Sequence, residues 1–126
     1  NNERKKLNFG HTIGHVLESM CMQHNNLLLH GEAVAWGMLA EAYISREKAM
    51  LSQQALDEIE TIIRFYFKPL SFIQNIDDAM RILYADKKRV GDELHITLIR
   101  KIGTAVINQH CSEKEVKSAM QYINEC

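Results

Sequence analysis

At 126 residues, with 46% hydrophobic and 25% charged residues, the chain is long enough and apolar enough to form one folded domain over residues 1–126. Its 15 basic and 16 acidic side chains give a formal net charge of −1, which argues against a surface that binds nucleic acid. No apolar run is as long as a membrane span, and three widely spaced cysteines suggest no disulfide framework, so we expect a soluble protein of the reducing cytoplasm.

A first helix is predicted over residues 7–23, where apolar side chains recur at the spacing of one helix face: Phe9, Ile13, Val16, Leu17 and Met20. A second face carries His11 and His15, four residues apart. Gly10 and Gly14 lower the helix propensity, and the usual reason for such glycines is the close approach of another backbone or a ligand. We expect the helix to end at the polar turn of residues 24–26.

Three further helices are predicted before residue 90. Residues 31–50 are apolar nearly all round in their first half, which indicates a buried helix. Ser52 is expected to cap a third helix that reaches about Tyr66 and cannot pass Pro69. A fourth, short helix is predicted over residues 77–84. Four large side chains of the first two predicted helices are expected to pack in the core: Met20, Met22, Trp36 and Met38.

The pattern changes near residue 94, because Leu94, Ile96 and Leu98 alternate with more polar side chains. Residues 104–107 are rich in β-formers and Gly103 precedes them, so a small hairpin is predicted. A capping box at residues 112–115 then opens a final helix. The sequence therefore predicts a mainly α-helical domain with one small β-hairpin.

The strongest local sign of chemistry is the pair His11 and His15, followed by His30 at the entry to the next helix. Residues four apart face the same way, so both imidazoles could serve one metal or one substrate. A catalytic Zn²⁺ takes three protein ligands and keeps one position open, but some of these histidines could instead move protons or bind phosphate. Ordinary helical histidines are the plain alternative. For the other three histidines, His24, His95 and His110, the sequence offers no partner.

Two longer motifs contain the histidine trio: Arg4-x-x-x-Asn8-Phe9-Gly10-His11-Thr12-Ile13-Gly14-His15 and Leu29-His30-Gly31-Glu32-Ala33-Val34-Ala35-x-Gly37-Met38. With Asp86-Lys87-Lys88 and a hairpin ending at Ile102-Gly103, they closely resemble the 3-dehydroquinate synthases. The resemblance extends from Arg4 to about Gly103. It implies the helical C-terminal domain of the dehydroquinate synthase-like fold.

The resemblance implies different roles for the three histidines. His11 and His30 match the two histidines that bind the family's metal, Zn²⁺ or Co²⁺. His15 matches a catalytic histidine that contacts the substrate and handles protons around its phosphate. Glu18 and Glu32 also fit the family pattern, and we expect them to support the site or the fold rather than bind metal.

Three further residues match the family's substrate-binding positions: Arg4, Asn8 and Lys87. The family's substrate is a phosphorylated sugar acid, to which Arg and Lys offer charge and directed hydrogen bonds. Without the resemblance, Arg4 and Lys87 lie in charge runs that are typical of solvated helix ends. Asn8 would then be no more than a helix N-cap.

The resemblance implies a phosphate-eliminating lyase of the shikimate pathway, which leads to chorismate and the aromatic amino acids. It converts 3-deoxy-arabino-heptulosonate 7-phosphate to 3-dehydroquinate and phosphate, with NAD and a metal, in what is commonly a homodimer. The chain lacks a Gly-rich dinucleotide fingerprint. We therefore expect a fragment of a longer protein, with the NAD-binding domain and a third, glutamate zinc ligand elsewhere. The fragment alone is expected to be inactive.

Several alternatives remain open at this point. Another sugar-phosphate cyclase, of the inosose or valiolone synthase type, would keep the histidine scaffold. A metal-dependent polyol dehydrogenase would share the architecture, although the Asn-Phe-Gly-His-Thr string and the phosphate-binding lysine argue against it. In a non-catalytic helical module the histidines would have no functional role. His11→Ala or His30→Ala would then have no effect.

Overall fold

The computed structural model describes residues 9–23, 30–70, 76–86 and 94–126. The helices in these ranges are α1 (His11–Gln23), α2 (His30–Glu47), α3 (Gln53–Tyr66), α4 (Ile76–Asp86) and α5 (Glu113–Asn124). Strands β1 (Leu94–Lys101) and β2 (Thr104–Cys111) pair antiparallel as a hairpin. A mainly α-helical fold with one hairpin is thus confirmed. Across the same ranges, no helix combines the length and the apolar character needed to cross a membrane.

Helix α2 lies at the centre of the fold and packs against α1, α3, α5 and β1. Its apolar first half is buried as predicted, with Trp36 only 1% exposed. The Trp36 indole Nε1 donates a hydrogen bond to the Lys68 carbonyl at 3.1 Å, so its polar atom is satisfied in the core. Met20 is also buried, Met38 is half-buried, and the side chain of Met22 lies outside the description.

The close crossing of α1 and α2 depends on glycine. A Cβ added at Gly37 would lie 2.1 Å from the Gly10 carbonyl oxygen and 2.7 Å from the Gly14 backbone nitrogen. Gly10 itself has φ +86°, a left-handed conformation that glycine adopts without a steric penalty. The expectation that Gly10 and Gly14 mark a close backbone approach is therefore confirmed. This crossing fixes the first turn of α1 against α2.

The start of α1 and the end of α2 differ from the sequence-based bounds by several residues. Helix α1 begins at His11 rather than residue 7, because residues 9–10 form a turn; the predicted break at 24–26 lies outside the described residues. Helix α2 ends at Glu47 rather than residue 50. There Ala49 has φ 61°, its N–H donates to Arg46 O at 3.0 Å, and the Met50 N–H donates to Ser45 O at 2.9 Å. This is a Schellman motif with alanine in the left-handed position.

The remaining elements follow the sequence closely. Ser52 caps α3, and Ser112 opens α5 with both hydrogen bonds of a capping box. Helix α4 is longer than predicted, at Ile76–Asp86, and both strands extend beyond the predicted hairpin. A buried serine ties the hairpin to α2, because Ser45 Oγ accepts from the Ile99 N–H at 3.1 Å and donates to the Glu41 carbonyl at 2.8 Å.

Candidate functional site

Three histidines meet where α1 crosses the start of α2. His11 is the first residue of α1, His15 lies one turn later, and His30 is the first residue of α2. Their ring centroids are 5.6 Å apart for His11 and His30, 5.9 Å for His11 and His15, and 6.3 Å for His15 and His30. The structure therefore brings together the trio that the sequence singled out, and we refer to these three residues as the histidine cluster.

Two members of the cluster have an oxygen partner at Nδ1. His30 Nδ1 lies 3.0 Å from Oε1 of Glu18, and His11 Nδ1 lies 3.4 Å from the carbonyl oxygen of Phe9. An imidazole that donates from Nδ1 presents Nε2 as an electron-pair donor. Histidines that bind metals are usually oriented in this way by a carboxylate or carbonyl behind them. His11 and His30 thus share a feature that is usual for metal-binding histidines, and Glu18 contacts the cluster through His30.

A buried carboxylate holds the start of α1. Glu41 of α2 is 0% exposed, and it accepts hydrogen bonds from the Gly10 N–H at 2.8 Å and the Ile13 N–H at 3.2 Å. These two amides belong to the first turn of a helix, where backbone N–H groups have no partner within the helix. A negative charge there also interacts favourably with the helix dipole. Glu41 therefore positions His11 without being close to it in sequence.

The surroundings of the cluster disfavour a thiolate ligand. Burial raises the pKa of the Cys21 thiol, and the nearby carboxylates of Glu32 and Glu18 raise it further. The thiolate is the form of cysteine that coordinates a metal. In the absence of a metal, Cys21 therefore remains a neutral, buried thiol.

Within residues 9–23, 30–70, 76–86 and 94–126, no three His, Cys, Asp or Glu side chains are placed to enclose a metal ion. Within the cluster, the ring centroids of His11 and His30 are the closest pair. The three candidate substrate-binding residues, Arg4, Asn8 and Lys87, lie outside the described residues. Glu41 is not predictable from the sequence, because a single glutamate in a helical pattern gives no sign of a partner 31 residues away.

The fold is that of the helical domain of dehydroquinate synthase-like proteins, as two solved structures show. A crystal structure of 2-deoxy-scyllo-inosose synthase complexed with carbaglucose-6-phosphate, NAD⁺ and Co²⁺ matches 94% of this chain with a TM-score of 0.77 and 22% identity, over 34% of its own length. The valiolone synthase ValA from Streptomyces hygroscopicus subsp. jinggangensis, with NAD⁺ and Zn²⁺ bound, has a TM-score of 0.74 and 28% identity over 94% of this chain and 32% of its own.

The chain belongs to the 3-dehydroquinate synthase C-terminal family, whose model matches residues 1–89. The 3-dehydroquinate synthase of Parabacteroides distasonis is 32% identical over 97% of this chain and 35% of its own length. That of Streptococcus equi subsp. equi is 40% identical over 78% of this chain and 27% of its own. The chain thus spans about a third of the length of the relatives that it matches.

Proposed function

We propose that this chain forms the metal- and substrate-binding part of a 3-dehydroquinate synthase, which converts 3-deoxy-arabino-heptulosonate 7-phosphate to 3-dehydroquinate and phosphate. One observation carries the proposal: His11 and His30 converge within a family motif, each with an oxygen behind Nδ1. An incidental pair of surface histidines would have no need of such orientation. The histidine cluster is therefore better explained as half of a metal centre than as a packing feature.

His11 and His30 would hold Zn²⁺ or Co²⁺ through their Nε2 atoms, with Glu18 keeping the imidazole of His30 in the required tautomer. When bound, the metal supplies Lewis acidity at a substrate hydroxyl, and NAD supplies the reversible removal of hydride. We propose that a third, carboxylate ligand comes from outside the described residues. A chain supplying only the two histidines would bind the metal weakly and would not turn over alone.

His15 would contact the substrate and transfer protons near its phosphate. It lies one helical turn from His11, with its ring centroid 5.9 Å away, so a substrate held at the metal is within its reach. Arg4, Asn8 and Lys87 would bind the anionic ends of the substrate. Guanidinium and ammonium groups suit phosphate and carboxylate because they donate charge-assisted hydrogen bonds to them.

A second candidate is another sugar-phosphate cyclase. It is favoured by the likeness to the valiolone synthase, at 28% identity and a TM-score of 0.74. Against it, the relatives from Parabacteroides distasonis and Streptococcus equi are both named 3-dehydroquinate synthase. The two candidates share the metal centre and differ in the substrate, so only a substrate assay separates them.

The test uses the protein at its natural length, with NAD and Zn²⁺, and measures phosphate release from 3-deoxy-arabino-heptulosonate 7-phosphate. We expect release in the wild type and a loss of at least a hundredfold in His30→Ala, because a metal ligand is removed. Glu58→Gln, an exposed substitution on α3, serves as the control and should retain activity. If no phosphate is released from this substrate but another sugar phosphate is turned over, the second candidate replaces the proposed function. Equal activity of His30→Ala and the wild type would refute both.

A further inference from the structure

The hairpin brings together two histidines that the sequence left without a partner. His95 of β1 and His110 of β2 are directly opposite each other in the strand register. Their ring centroids are 4.1 Å apart, with the planes inclined by 35°, and both side chains are exposed. Neither belongs to the histidine cluster, which is built from α1 and α2. This cross-strand pair is therefore separate from the candidate metal centre.

We propose that His95 and His110 together bind one divalent transition-metal ion, of the class Cu²⁺, Ni²⁺ or Zn²⁺, at the surface of the hairpin. A metal lies about 2.0–2.1 Å from each imidazole nitrogen, so two rings that share one ion have centroids roughly 5 Å apart. The present separation is 4.1 Å. A small rotation of the exposed side chains about χ1 and χ2 therefore opens the pair enough to admit an ion between them.

The backbone prepares this geometry before any metal binds. Pairing of Leu94 with Cys111 and of Ile96 with Gln109 holds the register on either side of the two histidines. Ile96 and Cys111 are buried at 1% and 0% exposure, so the neighbours of the pair are anchored in the core. A site whose backbone is already fixed loses little conformational freedom on binding, and only the two imidazoles must become ordered.

The ligand set determines which ions fit. The neighbouring Cys111 is buried and its Sγ donates to the Gln109 carbonyl, so it contributes no thiolate. Among the described residues no third His, Cys, Asp or Glu joins a group that could hold a metal, which leaves water to complete the coordination. Two imidazoles with water suit borderline transition metals rather than Mg²⁺ or Ca²⁺, with Cu²⁺ strongest in the Irving–Williams order. The ion is exchangeable, and its release does not require unfolding.

The test is a calorimetric titration with Ni²⁺ of the chain carrying His11→Ala and His30→Ala, in which the histidine cluster no longer offers a pair that competes for the ion. We expect one binding event in this background, with affinity reduced at least tenfold when either His95→Gln or His110→Gln is added. His24→Gln removes a histidine outside the pair and should leave the affinity of the background unchanged. Unchanged affinity in either His95→Gln or His110→Gln would overturn the proposal, because one imidazole alone does not chelate.

A second measurement uses the wild type and does not depend on how the variants fold. Sub-stoichiometric Cu²⁺ is added, and the imidazole ring resonances are followed by NMR. Paramagnetic broadening should reach those of His95 and His110 at the same Cu²⁺ concentration. Broadening of only one of the pair, or of neither, would contradict the shared site.

Discussion

The carboxylate of Glu18, on α1, lies 3.0 Å from Nδ1 of His30, the first residue of α2. This contact joins the two helices beside the histidine cluster and defines which ring nitrogen of His30 is available to a ligand. A carboxylate can only accept from the imidazole, whereas an amide could also donate to it. The chemistry of residue 18 therefore decides the tautomer of residue 30.

Glu18→Gln tests this relationship directly. We expect the affinity of the chain for Zn²⁺ to fall by about 10- to 100-fold, the range found when a carboxylate behind a ligating histidine is removed. The measurement is a competition titration with a zinc-binding dye. Glu58→Gln removes an exposed carboxylate of α3 and is the matched control. Equal zinc affinity in Glu18→Gln and the control would mean that Glu18 does not orient His30.

Gly37→Ala tests the crossing of α1 and α2. The added methyl would meet backbone atoms of Gly10 and Gly14 at 2.1 and 2.7 Å, and no side-chain rotation relieves such contacts. We expect a loss of at least about 3 kcal/mol in the free energy of unfolding, measured by urea denaturation. Gly31→Ala is the control, since nothing lies within 4 Å of its added Cβ. That variant should be neutral or gain up to about 1 kcal/mol. Similar stabilities of the two variants would contradict the close crossing.

Glu41→Gln tests the buried cap of α1. One carboxylate oxygen serves the Gly10 N–H and the other the Ile13 N–H, so an amide can satisfy only one of them and points its own donor at the other. We expect a loss of about 2 kcal/mol in stability, the cost of an unsatisfied buried donor, together with weaker zinc binding because His11 begins this helix. Urea denaturation and the dye titration measure the two effects. Glu47→Gln, an exposed change on the same helix, should alter neither, and a stable Glu41→Gln variant would disprove the capping role.

Periodicity and capping residues predicted most of the fold, and failed where a residue takes an unusual role. The capping box at Ser112 and the cap at Ser52 are visible as residue types, and the structure has both. The predicted end of α2 was wrong because the residue in the left-handed conformation after this helix is Ala49, whereas the usual residue at such a position is glycine. Nothing in the local sequence distinguishes this alanine from one in the middle of a helix.

Ala49→Gly tests the left-handed conformation of residue 49 at the end of α2. A left-handed conformation costs an alanine roughly 1 kcal/mol that a glycine does not incur. We therefore expect the variant to be about 1 kcal/mol more stable than the wild type in urea denaturation. Ala55→Gly, within α3, is the opposite control and should lose about the same amount. A loss of stability in both variants would show that residue 49 is not left-handed.

The sequence predicted which histidines lie together at the candidate site, but not the residues that support them. The four-residue spacing of His11 and His15, and the motif around His30, pointed to one cluster, and the three rings do lie together. The contacts of Glu41 with Gly10 and of His95 with His110 depend on how distant segments pack. Helical or strand periodicity describes one element at a time, so it does not predict contacts between residues of different elements.

We propose that His11 and His30 are metal ligands, whereas His15 contacts the substrate. This assignment is tested by zinc titration of four forms of the chain: wild type, His11→Ala, His30→Ala and His15→Ala. We expect an affinity loss of at least tenfold for His11→Ala and for His30→Ala, and less than threefold for His15→Ala, because a metal centre weakens sharply only when a direct ligand is lost. A loss in His15→Ala equal to the other two, or no loss in His11→Ala and His30→Ala, would contradict it.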